Sequence, residues 1–468
     1  MHLILLIANL IAKLQLFMKL FYSTILCCFV TSSIFAQESK LLQNFKYRID
    51  CYRVINLGAE GAASTQKYEN VTKPYFYSGT SVNGYFSVFK ISDKQKYNYN
   101  ISTSATINTG SENINARGTR TGTFGLSANH NKTWYVGKSF FEIGTALGSG
   151  ISGIRSEKIN NLISDKGNGK SIYAAITLGL GRGRLEIVND MQSALWLNRD
   201  LAKNKNLNRT LSDEELNGLA KAITKGNNTR VLDTRRRTKF VLKTVNNYLL
   251  DKGVINKNDI DYFSTLNDNI FFINNEYRVS GKELYIRFTP QYFGSNYNNT
   301  NDGRVIITKR NNEGHDILIN TGFKKYKPQN LIHQNNYGAE LSYYSINSTE
   351  KQNQVDNNIL VFDTKFNKQI NQYAADVFFE HGIYPNTRTN INFLAKASFG
   401  TQNIVSVVKN FYKFDLKAYS SYFISFRTKF FADFGVSYQK NYYDFLRTNQ
   451  YLPNRFLANI HTGLDINL

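Results

Sequence analysis

The chain has 468 residues, a formal net charge of +22 and 42% hydrophobic residues. Its mean hydropathy of −0.38 excludes a protein that crosses a membrane with many apolar helices. The 30 Tyr and 33 Phe residues argue against a disordered chain, because they can bury a large apolar surface. Cys27 and Cys28 lie in an apolar N-terminal segment, so Cys51 alone cannot support a disulfide scaffold or a cysteine-ligated zinc site.

Residues 1–36 contain no acidic residue and are typical of a secretory signal peptide. Lys19 precedes an apolar stretch at 20–31, and small residues follow up to Ala36. We expect cleavage after Ala36, with Met18 as an alternative start of translation. An uncleaved membrane anchor is the competing interpretation.

From about residue 80 onward, apolar and polar residues alternate with a period of two. Phe393 and Ala395 share one face of a predicted strand, whereas Asn392 and Lys396 share the other. Such alternation places one face in an apolar medium and the other in a polar one. Many segments exceed the five or six residues of a typical soluble strand, and about 9–11 residues let a tilted strand cross a bilayer.

We therefore predict an all-β transmembrane β-barrel of about 14 antiparallel strands, within a range of about 12 to 16, in a bacterial outer membrane. A soluble β-sandwich also alternates, but its strands are shorter and its turns contain more proline. The pairs Phe140-Phe141 and Phe411-Tyr412 lie near predicted strand ends and indicate an interfacial aromatic girdle.

Between residues 183 and 281 the hydrophobic period changes to 3.6, which predicts an α-helical periplasmic insert of about four helices. Ser212 and Glu215 form a capping-box pattern at the start of one helix. The predicted domains are a signal peptide at 1–36, an N-terminal part of the barrel at 37–182, the insert at 183–281 and a C-terminal part of the barrel at 282–468.

Charged residues on the polar faces of the predicted strands are expected to line the barrel lumen. They could select solutes by charge or could cross-link a closed interior, and we expect Asp433 to pair with Lys413 or Lys417. The predicted lumen-lining residues are Glu340, Asp376, Glu380, Lys396, Lys413, Asp415, Lys417, Lys429 and Asp433.

A basic patch on the third predicted helix contains Arg235, Arg236, Arg237 and Lys239. This patch either is a solvated face of the helix or binds a periplasmic protein or peptidoglycan. The barrel wall is expected to contact outer-membrane lipid, including lipopolysaccharide. An exported chain seldom meets nucleic acid, so we expect no nucleic-acid partner.

We predict no catalytic, metal or cofactor site and therefore no enzyme. Gly179, Gly181 and Gly183 follow a strand and precede a helix, as in a dinucleotide-binding loop, but no βαβ unit follows. We expect these glycines to let the chain leave the barrel wall. An outer-membrane hydrolase would need Ser, His and an acid on neighbouring strands, and the six His residues lack metal-ligand spacing.

The chain resembles outer-membrane β-barrel proteins of the Bacteroidetes in its Asn-, Lys-, Tyr-, Phe- and Ile-rich composition. Ala36-Gln37 and the final segment 463–468 also resemble those proteins. Residues 181–190 are similar to uncharacterised members with a helical insert. The resemblance implies a fold and a location but no substrate.

Two hypotheses for function follow, beside the less favoured hydrolase. The first is a channel or solute-binding, porin-like barrel whose insert gates or plugs the periplasmic mouth. The alternative is a non-conducting envelope scaffold whose insert docks a periplasmic partner.

Overall fold

A computed structural model describes fourteen segments of the chain: 36–66, 75–112, 117–157, 164–229, 234–255, 259–272, 278–301, 306–356, 359–404, 407–425, 428–440, 442–444, 450–452 and 455–466. The expected signal peptide, except for Ala36, lies outside the described residues.

The described chain consists mainly of long β-strands. Their bounds are β1 Ile49–Gln66, β2 Tyr75–Ile91, β3 Gln95–Glu112, β4 Arg117–Val136, β5 Ser139–Glu157, β6 Ser164–Ile187, β7 Val279–Asn301, β8 Ile306–Pro328, β9 His333–Asp356, β10 Ile359–Ile383, β11 Thr389–Ile404, β12 Val407–Ser425, β13 Thr428–Lys440, β14 Tyr442–Asp444, β15 Gln450–Leu452 and β16 Arg455–Ile466.

Fourteen of these strands form one sheet in the order β1 to β13 followed by β16, while β14 and β15 form a separate small hairpin. Every neighbouring pair in the large sheet is antiparallel. Among the described residues, β1 and β16 share no backbone ladder and are the two edge strands of this sheet.

The two faces of the wall differ in polarity, as β12 illustrates. Phe414 and Leu416 are 42% and 50% exposed, whereas Asp415 between them is only 9% exposed. Large apolar side chains therefore cover the outer face, and polar side chains cover the inner face. This is a transmembrane β-barrel of the bacterial outer-membrane type, and the predicted fold class is confirmed.

The girdle prediction was wrong for one residue in each of two aromatic pairs. Phe141 and Tyr412 are each 39% exposed, whereas Phe140 and Phe411 are buried in the interior at 5% and 0%. Successive side chains on a strand point to opposite faces, so two adjacent aromatic residues cannot both reach the lipid.

The helices are α1 Ala36–Asn44, α2 Asn189–Lys203, α3 Asp213–Asn228, α4 Thr234–Asp251 and α5 Ile260–Phe271. Ser212 caps α3, with Glu215 completing the predicted capping box. The sequence pattern did not predict α1. No helix among the described residues has the length and apolar character needed to cross a membrane.

All the helices lie at the end of the barrel where the described turns between strands are short. There β4 joins β5 through Gly137 and Lys138, and β8 joins β9 through residues 329–332. Outer-membrane barrels have short periplasmic turns, so the periplasmic placement of this end stays a prediction.

Two glycines in the last rungs of the ladder between β6 and β7 have left-handed backbones. Gly183 has a φ of +103° and Gly281 a φ of +123°. A Cβ on Gly183 would overlap the carbonyl oxygen of Lys282, and one on Gly281 would overlap that of Arg184. Only glycine fits where the backbones of β6 and β7 approach so closely, next to the point where the strands connect to the helices.

The strands differ in height at the other end of the barrel. The strand β10 has 25 residues, whereas β11 has 16 and β13 has 13. The wall is therefore taller along β7–β10 than along β11–β13.

Candidate functional site: the barrel interior and its helical cap

The helices α1–α5 pack into one compact unit, here called the cap. Its core includes Leu219, Val241 and Tyr262, none of which is exposed. Leu42 of α1 and Leu331 of the turn between β8 and β9 belong to the same core. Since a residue of the barrel rim completes that core, the cap is packed onto the barrel.

Arg278 lies where the chain enters β7, and its backbone amide donates to Asn189 Oδ1 at the start of α2. Its side chain is 1% exposed. Its guanidinium donates to the carbonyl oxygens of Asn330, Leu331 and His333 and to Gln334 Oε1. Burial lowers the pKa of Arg278 to about 10, so the guanidinium stays charged at neutral pH.

Sequence reasoning missed Arg278, because its partners are mainly backbone carbonyls some 50 residues away in the chain. No spacing pattern in the sequence marks such a site.

A second attachment lies beside β1. Arg48 forms ion pairs with Glu186 at 2.9 Å and with Asp93 at 2.7 Å. The Arg48 guanidinium lowers the pKa of the Asp93 carboxyl. In the cap, Asn228 donates to the hydroxyl of Tyr47 at 2.9 Å.

A third attachment, here called the latch, lies on the side of β11 and β12. Arg388 forms an ion pair with Asp268 of α5 at 2.7 Å and lies 4.4 Å from the ring centroid of Phe272. The Phe272 ring contacts Phe423 of β12 at a centroid distance of 6.1 Å. Attachments at β1, at β6–β9 and at β11–β12 hold the cap across this mouth of the barrel.

Inside the barrel, the part of the wall nearest the cap carries a network of charged and polar groups. Arg287 forms ion pairs with Glu142 and Glu283, each at 3.0 Å. Asn131 donates to Glu142 at 3.0 Å, and the Tyr285 hydroxyl donates to Glu340. The network joins β4, β5, β7 and β9 across the interior.

The predicted lumen-lining residues all lie on the strand faces opposite to the exposed apolar side chains. Most have close polar partners. The pairs and distances are Lys396 with Asp376 at 3.6 Å, Asn336 with Glu380 at 2.9 Å, Lys413 with Asp415 at 3.2 Å and Lys429 with Asp465 at 3.3 Å.

The predicted pairing of Asp433 with Lys413 or Lys417 was wrong. Asp433 contacts His461 of β16 at 3.2 Å instead. The register places Tyr419 opposite Asp433 and Gly435 opposite Lys417. The sequence pattern gives the face of each residue but not this register.

Farther from the cap, small uncharged residues dominate the inner face of the wall from β2 to β7. They leave a cavity of about 720 Å³. Its lining includes Ser102, Ser104, Ser127, Ser171, Ser295, Gly125, Gly148, Gly150, Tyr85, Tyr173 and Phe293. Across the barrel, buried Ile370, Gln402 and Phe411 fill the corresponding space.

The basic patch lies on the exposed surface of the cap. Arg236, Arg237 and Lys239 of α4 are exposed, while the side chain of Arg235 lies outside the described part of the chain. Arg237 donates to the carbonyl oxygen of Asn227 at 3.2 Å and so caps the end of α3.

Asp190 is a buried carboxylate in the first turn of α2, with 3% exposure. Burial raises the pKa of Asp190 to about 6, although hydrogen bonds from Thr224 at 2.7 Å and Asn227 at 3.3 Å oppose the shift. The contact ties α2 to α3 and makes the stability of the cap dependent on pH.

No family model matches the chain, and no curated protein matches it. The translocator domain of autotransporter NalP from Neisseria meningitidis is 9% identical, with 81% of this chain and 91% of that chain covered and a TM-score of 0.28. The ferric yersiniabactin uptake receptor FyuA from Yersinia pestis is 6% identical, with 85% and 62% covered and a TM-score of 0.36. The Pseudomonas putida toluene transporter TodX is 7% identical, with 86% and 89% covered and a TM-score of 0.28. These distant likenesses identify no shared activity.

We predict that Asp190→Asn removes a pH dependence of cap stability. A carboxyl whose pKa is raised on folding destabilises the fold as pH rises, so the cap should lose about 1 kcal/mol between pH 5 and pH 7. In the Asp190→Asn variant this loss should disappear. Thermal unfolding followed by Trp196 fluorescence in a Trp134→Phe background measures it.

The comparison between the two proteins isolates Asp190, because every other titratable group is the same in both. Glu215 has a pKa of about 2, held there by Arg209 and the Ser212 amide, so it stays ionised throughout this range. Parallel stability curves for the two proteins would contradict the prediction.

Proposed function

We propose that this barrel passes or binds small solutes across the outer membrane, with the cap controlling its periplasmic mouth. The observation that carries the proposal is the cavity of about 720 Å³ on the inner wall between β2 and β7. In a barrel closed by its own side chains, larger inward-facing residues would stand in place of these serines and glycines.

The distribution of charge on the two sides of the interior indicates which solutes the barrel would pass. Two ion pairs join charged residues of β10–β12, Lys396 with Asp376 at 3.6 Å and Lys413 with Asp415 at 3.2 Å. Their charges are therefore largely compensated. The cavity lies on the uncharged wall, whose hydroxyl groups and aromatic rings suit small polar molecules without net charge.

The cap can control access to the barrel because its attachments to the rim differ in strength. Beside β7–β9 it shares a buried core with the barrel, and the backbone amide of Arg278 donates to Asn189 of α2. Beside β11 and β12 it depends on the latch, whose Arg388 and Asp268 side chains are 31% and 37% exposed. A partly exposed ion pair contributes roughly 0–1 kcal/mol, so the cap should separate from the rim on this side first.

The cavity is tested by Ser104→Trp, which places an indole ring against the open space. We expect single-channel conductance in planar bilayers to fall by roughly half or more. Ala105→Trp is the matched control, because Ala105 is the next residue and faces the lipid side. Equal conductance in the two variants would exclude a solute path along this wall.

The latch is tested by Arg388→Ala, which removes both the ion pair with Asp268 and the contact with Phe272. We expect more frequent or longer open events in the same bilayers, because the cap then lacks its attachment at β11. Arg310→Ala is the control, since Arg310 forms a comparable exposed pair with Glu350 at 3.1 Å near the other end. Identical gating in the three proteins would show that the cap is not a gate.

The scaffold alternative is favoured by the basic surface of the cap. Exposed Lys239 and Lys243 of α4 lie beside the neighbouring helix α3, where Lys221 and Lys225 are also exposed. Such a surface would attract an anionic polymer or an acidic protein in the periplasm, and peptidoglycan is the partner we propose for it. The wall itself would contact membrane lipid, including lipopolysaccharide. A hydrolase has no comparable support, because His381 contacts His333 and Asn335, which supply no nucleophile.

For this alternative we expect Lys239→Glu together with Lys243→Glu to reduce co-sedimentation with purified peptidoglycan sacculi. The interaction should also weaken as salt rises, because the charges are exposed. Lys203→Glu with Lys205→Glu changes the cap charge equally at another exposed site and is the control. Loss of binding in neither pair, or in both, would remove the proposed role of this surface.

A further inference from the structure

A groove of about 420 Å³ lies on the outer face of the wall across β6–β9. Two of its lining residues, Ile172 and Tyr292, lie on the same strand faces as Leu178 and Ile286, which are 44% and 51% exposed. The groove therefore opens toward the lipid side, on the opposite face of the wall from the interior cavity. It lies at the ends of these strands that are remote from the cap.

One row of residues across the sheet forms the polar side of the groove. Following one another across β6, β7, β8 and β9, its members are Lys170, Asn296, Asn311 and Lys351. Residues directly opposite each other share a face, and adjacent strands lie about 4.8 Å apart, so the Cα atoms of the two lysines are roughly 14 Å apart. Among the described residues, no ion pair neutralises either lysine.

The next row toward the cap forms the floor of the groove. Its members are Ile172, Gly294, Glu313 and Thr349. A Cβ on Gly294 would lie 3.1 Å from the Tyr292 hydroxyl and 3.3 Å from Cγ2 of Ile172. A larger side chain at this position would therefore fill the groove, which begins where the outward apolar residues of β6 and β7 end.

The groups in the groove match a headgroup made of phosphorylated sugars. Lysine ammonium groups bind phosphates as point charges, while amides and a carboxylate form hydrogen bonds with sugar hydroxyls. Glu313 lies on a strand between the two lysines and would repel a phosphate there, so two phosphates would bind at the two ends of the groove with uncharged sugar between them. On β10, the nearby outward residues Lys365 and Asp363 add no net charge.

The wall between the groove and the cap suits hydrocarbon chains. Its outward side chains on β6 include Ile176, which is 52% exposed, and those on β7 include Phe288, which is 40% exposed. A molecule that fills the groove and covers these side chains has a polar, anionic head and acyl chains. Since the cap end is predicted to be periplasmic, the groove faces the outer leaflet.

We propose that the groove binds the phosphorylated sugar headgroup of lipopolysaccharide, while the acyl chains cover the apolar wall below it. The proposal gives a defined site to the contact with lipopolysaccharide that is proposed above, and it rests on that contact. It concerns the outer face of the wall and does not depend on conduction through the interior.

The test is native mass spectrometry of the full-length protein in detergent, titrated with rough lipopolysaccharide and separately with phosphatidylglycerol. The wild type should bind lipopolysaccharide more tightly, because phosphatidylglycerol has one phosphate and no sugar. Lys170→Glu with Lys351→Glu should weaken the binding of lipopolysaccharide about tenfold, because both phosphate contacts become repulsive. Lys203→Glu with Lys205→Glu makes the same change of charge on the cap and should bind as the wild type does.

Gly294→Leu tests the shape of the groove while both lysines remain, and it should also weaken the binding of lipopolysaccharide. Gly122→Leu is the matched control, because a Cβ on Gly122 of β4 would meet nothing within 4 Å. Circular dichroism checks that each variant keeps its strands.

Four results would each overturn the proposal. They are equal binding of the two lipids by the wild type, unchanged binding after reversal of Lys170 and Lys351, equal losses in the two pairs of lysine variants, and full binding by Gly294→Leu. Conductance is a separate measurement, so none of these results would affect the channel proposal.

Discussion

The structure depends on the requirement that a barrel wall satisfy all its backbone groups internally while presenting lipid-compatible side chains outward. Antiparallel pairing of consecutive strands meets the first condition, and alternation meets the second. The pair formed by Leu416, half exposed, and Asp415, nearly buried, shows both conditions in adjacent residues. Interruptions of the wall are therefore restricted to places where other groups take over the backbone contacts. The cap is such a place, since the Arg278 guanidinium engages carbonyl oxygens of the turn between β8 and β9.

The same requirement explains why the cap is held unequally. Each of its helices has one apolar face, which must be buried against other helices or the rim. The rim contributes Leu331 to that core, and the backbone amide of buried Arg278, at the start of β7, donates to Asn189 of α2. The side of β11 offers only a partly exposed ion pair and an aromatic contact. Movement that separates the latch therefore costs far less than movement that separates the shared core.

The periodicity of the sequence predicted the features that depend only on residues near one another in the chain. The period of two located the strands, and the capping box of Ser212 and Glu215 located the start of α3 as it is observed. Properties that depend on distant contacts were not accessible in the same way. The partner of Asp433 depends on the register between β12, β13 and β16, and the role of Arg278 depends on a turn some 50 residues away. The basic patch was visible as a charge run, but the use of Arg237 to cap α3 was not, because it requires the two helices to be side by side.

The number of strands alone does not decide whether this interior conducts. Eight strands enclose a space that side chains fill, and sixteen to eighteen leave an aqueous channel. Fourteen strands lie between these limits, so the size of the inward side chains becomes decisive. On β9–β12 they are large enough for Ile370 and Phe411 to be almost fully buried, while Ser104, Gly125 and Gly150 on β3–β5 leave the space unfilled. The open space is therefore displaced toward the uncharged wall, and a solute there would meet hydroxyl groups and aromatic rings in preference to the paired charges opposite.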